Sequence, residues 1–171
     1  MALLNILTYP DKFLAKKAKP VTNIDGALQK TIDDMIETMY NAPGIGLAST
    51  QIGCDKSIII YDLRYGENDR SLQVLLNPKI IETSGEIVSE NEGCLSVPEF
   101  RSDVKRSASV IIEALDREGK PLKMEAEEYH AIVLQHEIDH LNGILFINRV
   151  SALKRELYKR HIKKQLKQDD K

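Results

Sequence analysis

Apolar residues at Ile24, Leu28, Ile32, Met35, Ile36 and Met39 recur mostly at three- and four-residue intervals, which places them on one face of a helix. The run stops at Asn41-Ala42-Pro43-Gly44, so an amphipathic helix packed on a core is expected between Ile24 and Tyr40. The pattern then changes to short apolar runs, Ser57 to Asp62 and Val74 to Asn77, followed by turn-prone Gly85 and a strand-like stretch from Ser107 to Asp116. Within that stretch, Val110 to Leu115, the turn residues Asp116-Arg117-Glu118-Gly119-Lys120-Pro121 and Leu122 to Ala126 read as a hairpin. A second helix is expected from about Glu127 to Asn142, ending at Gly143, and a third from about Ser151 into the end of the sequence. Strands clustered between helices predict an α+β fold, with small antiparallel sheets around a buried central helix, a helix in the N-terminal half and a C-terminal helix. No repeat, low-complexity segment or long linker divides the 171 residues, so one catalytic domain over 1–171 is expected, with 151–171 as a basic helical tail.

Composition narrows the class. Hydrophobic residues make up 42% of the chain and charged residues 29%, ordinary globular values, and the length suffices for a core without disulfides or a structural metal. No apolar run approaches the roughly eighteen residues of a membrane span, and Met1 to Pro10 lacks the basic start and apolar core of a signal peptide. A cytoplasmic protein with no membrane contact is expected. The formal charge of −2 hides an asymmetry: from Ser151 to Lys171 eight Lys or Arg face Glu156, Asp169 and Asp170, a balance of +5 that leaves −7 for the rest. Such an end is either a solvated helix face or a contact for a polyanion such as RNA. Of the two cysteines, Cys54 sits in a turn-like Ile-Gly-Cys-Asp-Lys stretch and reads as an unremarkable thiol.

The chemistry concentrates in the predicted second helix, at His136-Glu137-Ile138-Asp139-His140. Residues four apart lie on one helix face, so His136 and His140 can offer nitrogens to one ion, while Glu137 is near enough to reach a water beside it. Taken alone, the pattern also fits a buried helix whose polar residues fall in this order. Catalysis needs a third protein ligand. The metzincin pattern H-E-x-x-H-x-x-G-x-x-H is met at Gly143 and fails at Phe146, and Glu156, the downstream carboxylate a gluzincin would use, lies in the charged tail. Upstream, Glu92-Gly93-Cys94-Leu95-Ser96 offers a thiol beside a glycine, and Gly44 to Gln51 places two glycines and small residues before a lone amide.

Together these three segments resemble the peptide deformylases, metal-dependent hydrolases that remove the formyl group from the initiator methionine of nascent polypeptides. Gly44 to Gln51 is similar to the family motif G-x-G-L-A-A-x-Q, with Ser49 for the second alanine; E-G-C-L-S is intact at Glu92 to Ser96, and H-E-x-D-H-L-x-G is intact at His136 to Gly143. The resemblance implies that Cys94, His136 and His140 bind one divalent metal with a fourth position left to water, and that Glu137 is the general acid/base. It further implies that the Gln51 amide and the Leu95 backbone N–H hold the oxyanion, and that the peptide lies extended along backbone groups of Ile45 and Gly46. Ile132 and Val133 would line a methionine pocket, unless they are simply core residues, with Tyr129 at its edge and Arg101 at its rim. Fe(II) is the ion the resemblance implies in the cell, and Zn(II), Ni(II) or Co(II) are compatible with the ligands. The implied partners are N-formyl-methionyl nascent peptides and, through the basic C-terminal helix, the ribosome; a monomer is expected. Ser49 adds a hydroxyl beside the site.

Other polar residues take plainer roles. His130 falls nearly opposite His136 and reads as a surface or packing residue, and His161 reads as solvated. Glu92 is expected to take a structural hydrogen-bonding role, and Asp139 either to support the metal ligands or to serve helix packing. A zincin-like endopeptidase and a noncatalytic ribosome-associated metal protein are the competing readings. The first lacks its ligand, and the second has no use for Glu137 or Gln51.

Overall fold

The computed structural model describes residues 2–64 and 70–169. Met1 and the tail residues Asp170 and Lys171 lie outside the described residues. The first helix, α1 (Gly26–Asn41), starts where the Asp25 side chain accepts the Leu28 N–H at 2.8 Å. Its apolar stripe, Leu28, Ile32, Met35 and Met39, is fully buried.

Next come β1 (Gly46–Ala48), β2 (Ile58–Asp62), β3 (Leu72–Ser84), β4 (Ile87–Cys94), β5 (Val97–Arg106), β6 (Ser109–Leu115) and β7 (Pro121–Glu127). Strands β1, β2, β3, β6 and β7 form one antiparallel sheet in that spatial order, and β4 and β5 pair as a separate hairpin. In β2 every residue is buried, because Ile58 and Ile60 pack with α1 while Ile59 and Tyr61 face the other way. That opposite face carries α2 (Glu128–Leu141), which packs Ala131, Leu134, Ile138 and Leu141 against Ile59, Leu75, Val110 and Ile112. The sheet is thus sandwiched between two helices, an α+β arrangement with the expected central helix.

The hairpin closes over the far side of α2. A third cluster, containing Val97 and Val104 of β5, Phe146 and Ile147, joins it to α3 (Ala152–Asp169), which contributes Tyr158 and Ile162. Gly143 ends α2 with φ +72°, and a side chain there would collide with the Ala15 carbonyl, so no other residue fits this corner.

The expected hairpin over 110–126 and the run 57–62 correspond to β6–β7 and β2. Two features differ. The run 74–77 is only the buried start of a thirteen-residue strand, whose register shifts after Leu76 and whose Asn77 takes φ +52° to bond Val21 on both sides. The whole β4–β5 hairpin was not anticipated: Ser89, Glu92, Ser102 and Arg106, four of the six buried residues in its strands, are polar, and Val97 and Val104 alone are too few to write an apolar alternation.

Candidate metal centre

Helix α2 and the end of β4 bring three ligand types together. His136 and His140 stand one turn apart with ring centroids 5.1 Å from each other, and the Cys94 Sγ approaches His140 Nε2 at 3.2 Å. Among the described residues, the ligand atoms of Cys94, His136 and His140 all lie within 4.8 Å of one another. The His136 Nδ1 meets the Glu92 carboxylate at 2.6 Å. Burial works against the Glu92 charge, but hydrogen bonds from His136 and Arg106 outweigh it and hold the acid at about 2. An ionised Glu92 can only accept, so His136 donates from Nδ1 and Nε2 is its ligand atom.

The electrostatics suit a cation. Burial disfavours charge on His136, yet hydrogen bonds to the Cys94 sulfur and to Glu92 raise its pKa well above the usual imidazole value. His140, buried and beside that charge, is pushed well below it. Surroundings that hold a proton on His136 would also favour a cation at the same atoms. Thiolate and imidazole donors match tetrahedral zinc and the neighbouring first-row divalent ions, and three protein ligands leave one position open. The residues therefore fit a catalytic metal.

Glu137 lies beside this cluster, 5% exposed, with its Oε2 lacking a hydrogen-bond partner among the described residues; burial raises its pKa to about 7. Gly46 makes room for it, since a Cβ at that position would collide with the Glu137 carboxylate. Gln51 is oriented by the Ala48 N–H, which donates to its Oε1 at 2.9 Å. The amide nitrogen then points to the Ser96 Oγ at 3.1 Å and the Cys94 Sγ at 3.6 Å. The motif's Thr50 donates its hydroxyl to the His140 carbonyl at 3.1 Å. A cavity of about 840 Å³ opens over His136, Glu137, Gln51 and Cys94, walled by Ile45, Gly46, Leu95, Ile132 and Val133, with Tyr129 and Arg101 also lining it.

With this geometry in hand, comparison with known proteins is decisive. The Polypeptide deformylase family model matches residues 3–156. The chain belongs to that family. Its members remove the N-formyl group from nascent peptides. The peptide deformylase of Desulfosudis oleivorans is 54% identical over 168 residues, 98% of this chain and 97% of that protein. Among solved structures, a peptide deformylase from Legionella pneumophila has a TM-score of 0.89 and 42% identity, with 99% of each chain covered. A peptide deformylase from Ehrlichia chaffeensis, solved in complex with actinonin, gives a TM-score of 0.87 and 35% identity over 96% of this chain and 98% of that one.

Every deformylase site position named from sequence lies at the cluster or on the cavity wall, with one difference in detail. The Ile45 carbonyl accepts the Asp62 N–H at 2.8 Å and is taken up within the sheet, while Gly46, next along antiparallel β1, turns its backbone groups toward the open sheet edge. The plainer assignments find partners too. His130 Nε2 meets the Tyr61 hydroxyl at 2.9 Å, and His161 is exposed, 3.9 Å from Glu99. Cys54 is a half-buried free thiol. Phe146, where a metzincin would place its third histidine, stacks 6.2 Å from the His136 ring. Glu156 pairs on the surface with Lys159 at 3.6 Å. Arg106 and Arg149 were missed by sequence reasoning: Arg106 joins Glu92 to Asp139, and Arg149 holds Asp139 from outside at 2.6 Å. Arg106 is the last residue of β5, directly before the link at 107–108 to β6, and nothing in the local sequence marks either arginine as a partner of Asp139.

Proposed function

We propose that Cys94, His136 and His140 hold one divalent cation, and that Glu137 carries the proton as the chain hydrolyses the N-terminal formamide of a nascent peptide, releasing formate. The observation that carries this reading is a buried carboxylate without a partner, beside three convergent metal-ligand atoms at the floor of a cavity. When bound, the cation would supply Lewis-acid polarisation and a nucleophile available near neutral pH.

The remaining steps belong to the chain. With its pKa near 7, Glu137 can take the proton of the attacking water and return it to the departing amine. The Gln51 amide and the Leu95 N–H receive the negative charge that develops on the formyl oxygen, each donor worth about 3–4 kcal/mol of barrier. The peptide adds as a strand to the free edge at β1, where Gly46 and the Ile45 N–H offer backbone groups. Ile132 and Val133 receive the methionine side chain, with Tyr129 and Arg101 at the mouth. The actinonin bound by the Ehrlichia chaffeensis relative would occupy the same cavity and compete with substrate.

Fe(II) is the cellular ion in this reading, supported by the thiolate ligand, and Zn(II), Ni(II) and Co(II) substitute. Residues 1–171 act as one catalytic domain, monomeric in the cytoplasm, and no helix among the described residues is long and apolar enough to cross a membrane. The basic residues exposed on α3 meet the ribosome. Because Tyr158 and Ile162 of α3 are buried, surface charge changes at Lys159, Lys163 and Lys167 test this better than truncation. They should weaken ribosome binding and leave turnover of a short peptide unchanged.

The direct test is formate release from N-formyl-methionyl peptide by anaerobically prepared, Fe(II)-loaded protein. Release by the parent and silence from a folded, metal-loaded Glu137→Ala variant are expected. A metal-loaded parent that releases no formate would sink the reading.

A further inference from the structure

The three metal-ligand candidates reach the centre from two separate elements, Cys94 from β4 and the histidines from α2, so something must fix one against the other. Among the described residues, Arg106 is the only arginine or lysine that is buried, at 5% exposure. It lies at the end of β5, and its guanidinium spans the gap. Nε and Nη2 fork onto the two oxygens of Glu92, two residues before Cys94, while Nη1 donates to Asp139, next to His140, at 2.9 Å. Glu92 in turn takes the His136 Nδ1. Register shifts in β4 on either side of Glu92 turn this residue and Cys94 toward α2.

A buried ion network of this kind is a poor device for stability alone, because desolvating the three charges of Arg106, Glu92 and Asp139 offsets most of their attraction, and apolar residues of equal volume would pack as well. Its geometry is what apolar residues cannot supply. A guanidinium offers donors in one rigid plane and grips two carboxylates at once, whereas a lysine offers a single point of charge.

We propose that Arg106 is a positioning residue of the metal centre: by gripping Glu92 and Asp139 together it orients His136 and sets the separation between the cysteine strand and the histidine helix. This rests on the metal reading above. Arg149 steadies the outer side of Asp139 and leaves its inner oxygen to share between the two arginines.

Cobalt(II) is the probe, because its thiolate charge-transfer absorption reports Cys94 ligation and its d–d bands report ligand geometry. Affinity comes from competition with a chelator. For folded Arg106→Lys, which keeps the charge and loses the grip, the expected result is an altered d–d spectrum and Co(II) affinity lowered about 10- to 100-fold. Glu92→Gln should move both readouts the same way, and it carries the test should the lysine variant not fold. A folded Arg106→Lys chain with wild-type spectrum and affinity overturns the proposal, as would the same result for Glu92→Gln standing in its place. A wild-type chain that gives no thiolate-to-cobalt band instead overturns the metal centre itself, which is a distinguishable failure.

Discussion

Strands β2 and β4 both lie against α2, yet they bury opposite kinds of residue. β2 turns three isoleucines and Tyr61 into the two faces of a sandwiched sheet, and only its last residue, Asp62, is charged. β4 buries Ser89 and Glu92, and presents Cys94 half-buried at the cavity. The first strand contributes folding energy by removing apolar area from water, at about 25 cal/mol per Å². The second contributes little of that, and holds polar groups where their hydrogen bonds and a cation can use them. Stability and chemistry are therefore carried by different parts of the molecule, with α2 the element they share.

Two substitutions should separate these roles most clearly. Glu137→Gln removes the carboxylate proposed above to carry the proton while filling the same space, so kcat should fall by about 10²- to 10⁴-fold. Because the carboxylate it replaces is buried without a partner, thermal stability should hold or rise, and metal content should not change. A melting temperature that drops along with kcat would show that Glu137 supports the fold. The reverse substitution is Ile59→Ala, at a fully buried position of β2. It should cost about 2–5 kcal/mol. For a chain of this size that lowers the midpoint by roughly 2–4 °C per kcal/mol. Below the transition, kcat and Co(II) affinity should stay near wild type, and a large loss of either would show that the sheet core and the metal centre are not independent.

The same division explains what could be read from residues alone. The α1 stripe and the β2 run are apolar at the right period, and both elements lie where that pattern puts them. The site was legible for a different reason, because three short motifs carry ligands and glycines whose spacing has a chemical purpose. The β4–β5 hairpin that presents one of those motifs was not legible. From Ser102 to Arg106 its burial alternates strictly, but the inward residues are Ser102, Val104 and Arg106, and a period of two in burial leaves little trace when two of the three buried residues are polar. Likewise β3 runs on past Asn77 and Pro78 through register shifts that no apolar pattern marks. Arg106 is the sharpest case, since an arginine in a polar strand reads as solvent-facing until its two carboxylates are seen together.

Gly46 sits on the boundary between the two regions, in a strand of the large sheet but against the Glu137 carboxylate. Gly46→Ala would leave the sheet pairing of β1 intact and force Glu137 away from its place. Displacement of a reacting group by about 1 Å can cost about 10²-fold in rate. Activity should therefore fall by about that factor with the melting temperature lowered only slightly. Unchanged kcat would mean that the carboxylate has room to move without consequence, and the close approach at Gly46 would lose its functional meaning.

The smallest expected effect belongs to Ser49, the one departure from the family motif. From sequence its hydroxyl was placed beside the site. In the folded chain it donates to the Lys56 carbonyl, so it ties the turn after β1 to the start of β2 on the sheet side of the boundary. Ser49→Ala restores the alanine of the motif and leaves that carbonyl without this donor, at a net cost of about 0.5–1.5 kcal/mol. Because Gln51 is oriented by Ala48 and Ser96 and not by Ser49, kcat, KM and Co(II) spectrum should all be unchanged while the melting temperature falls by a few degrees. If kcat fell instead, the hydroxyl would be acting on Gln51 through the turn they share, and the line between the two regions would have to be redrawn one residue closer to the core.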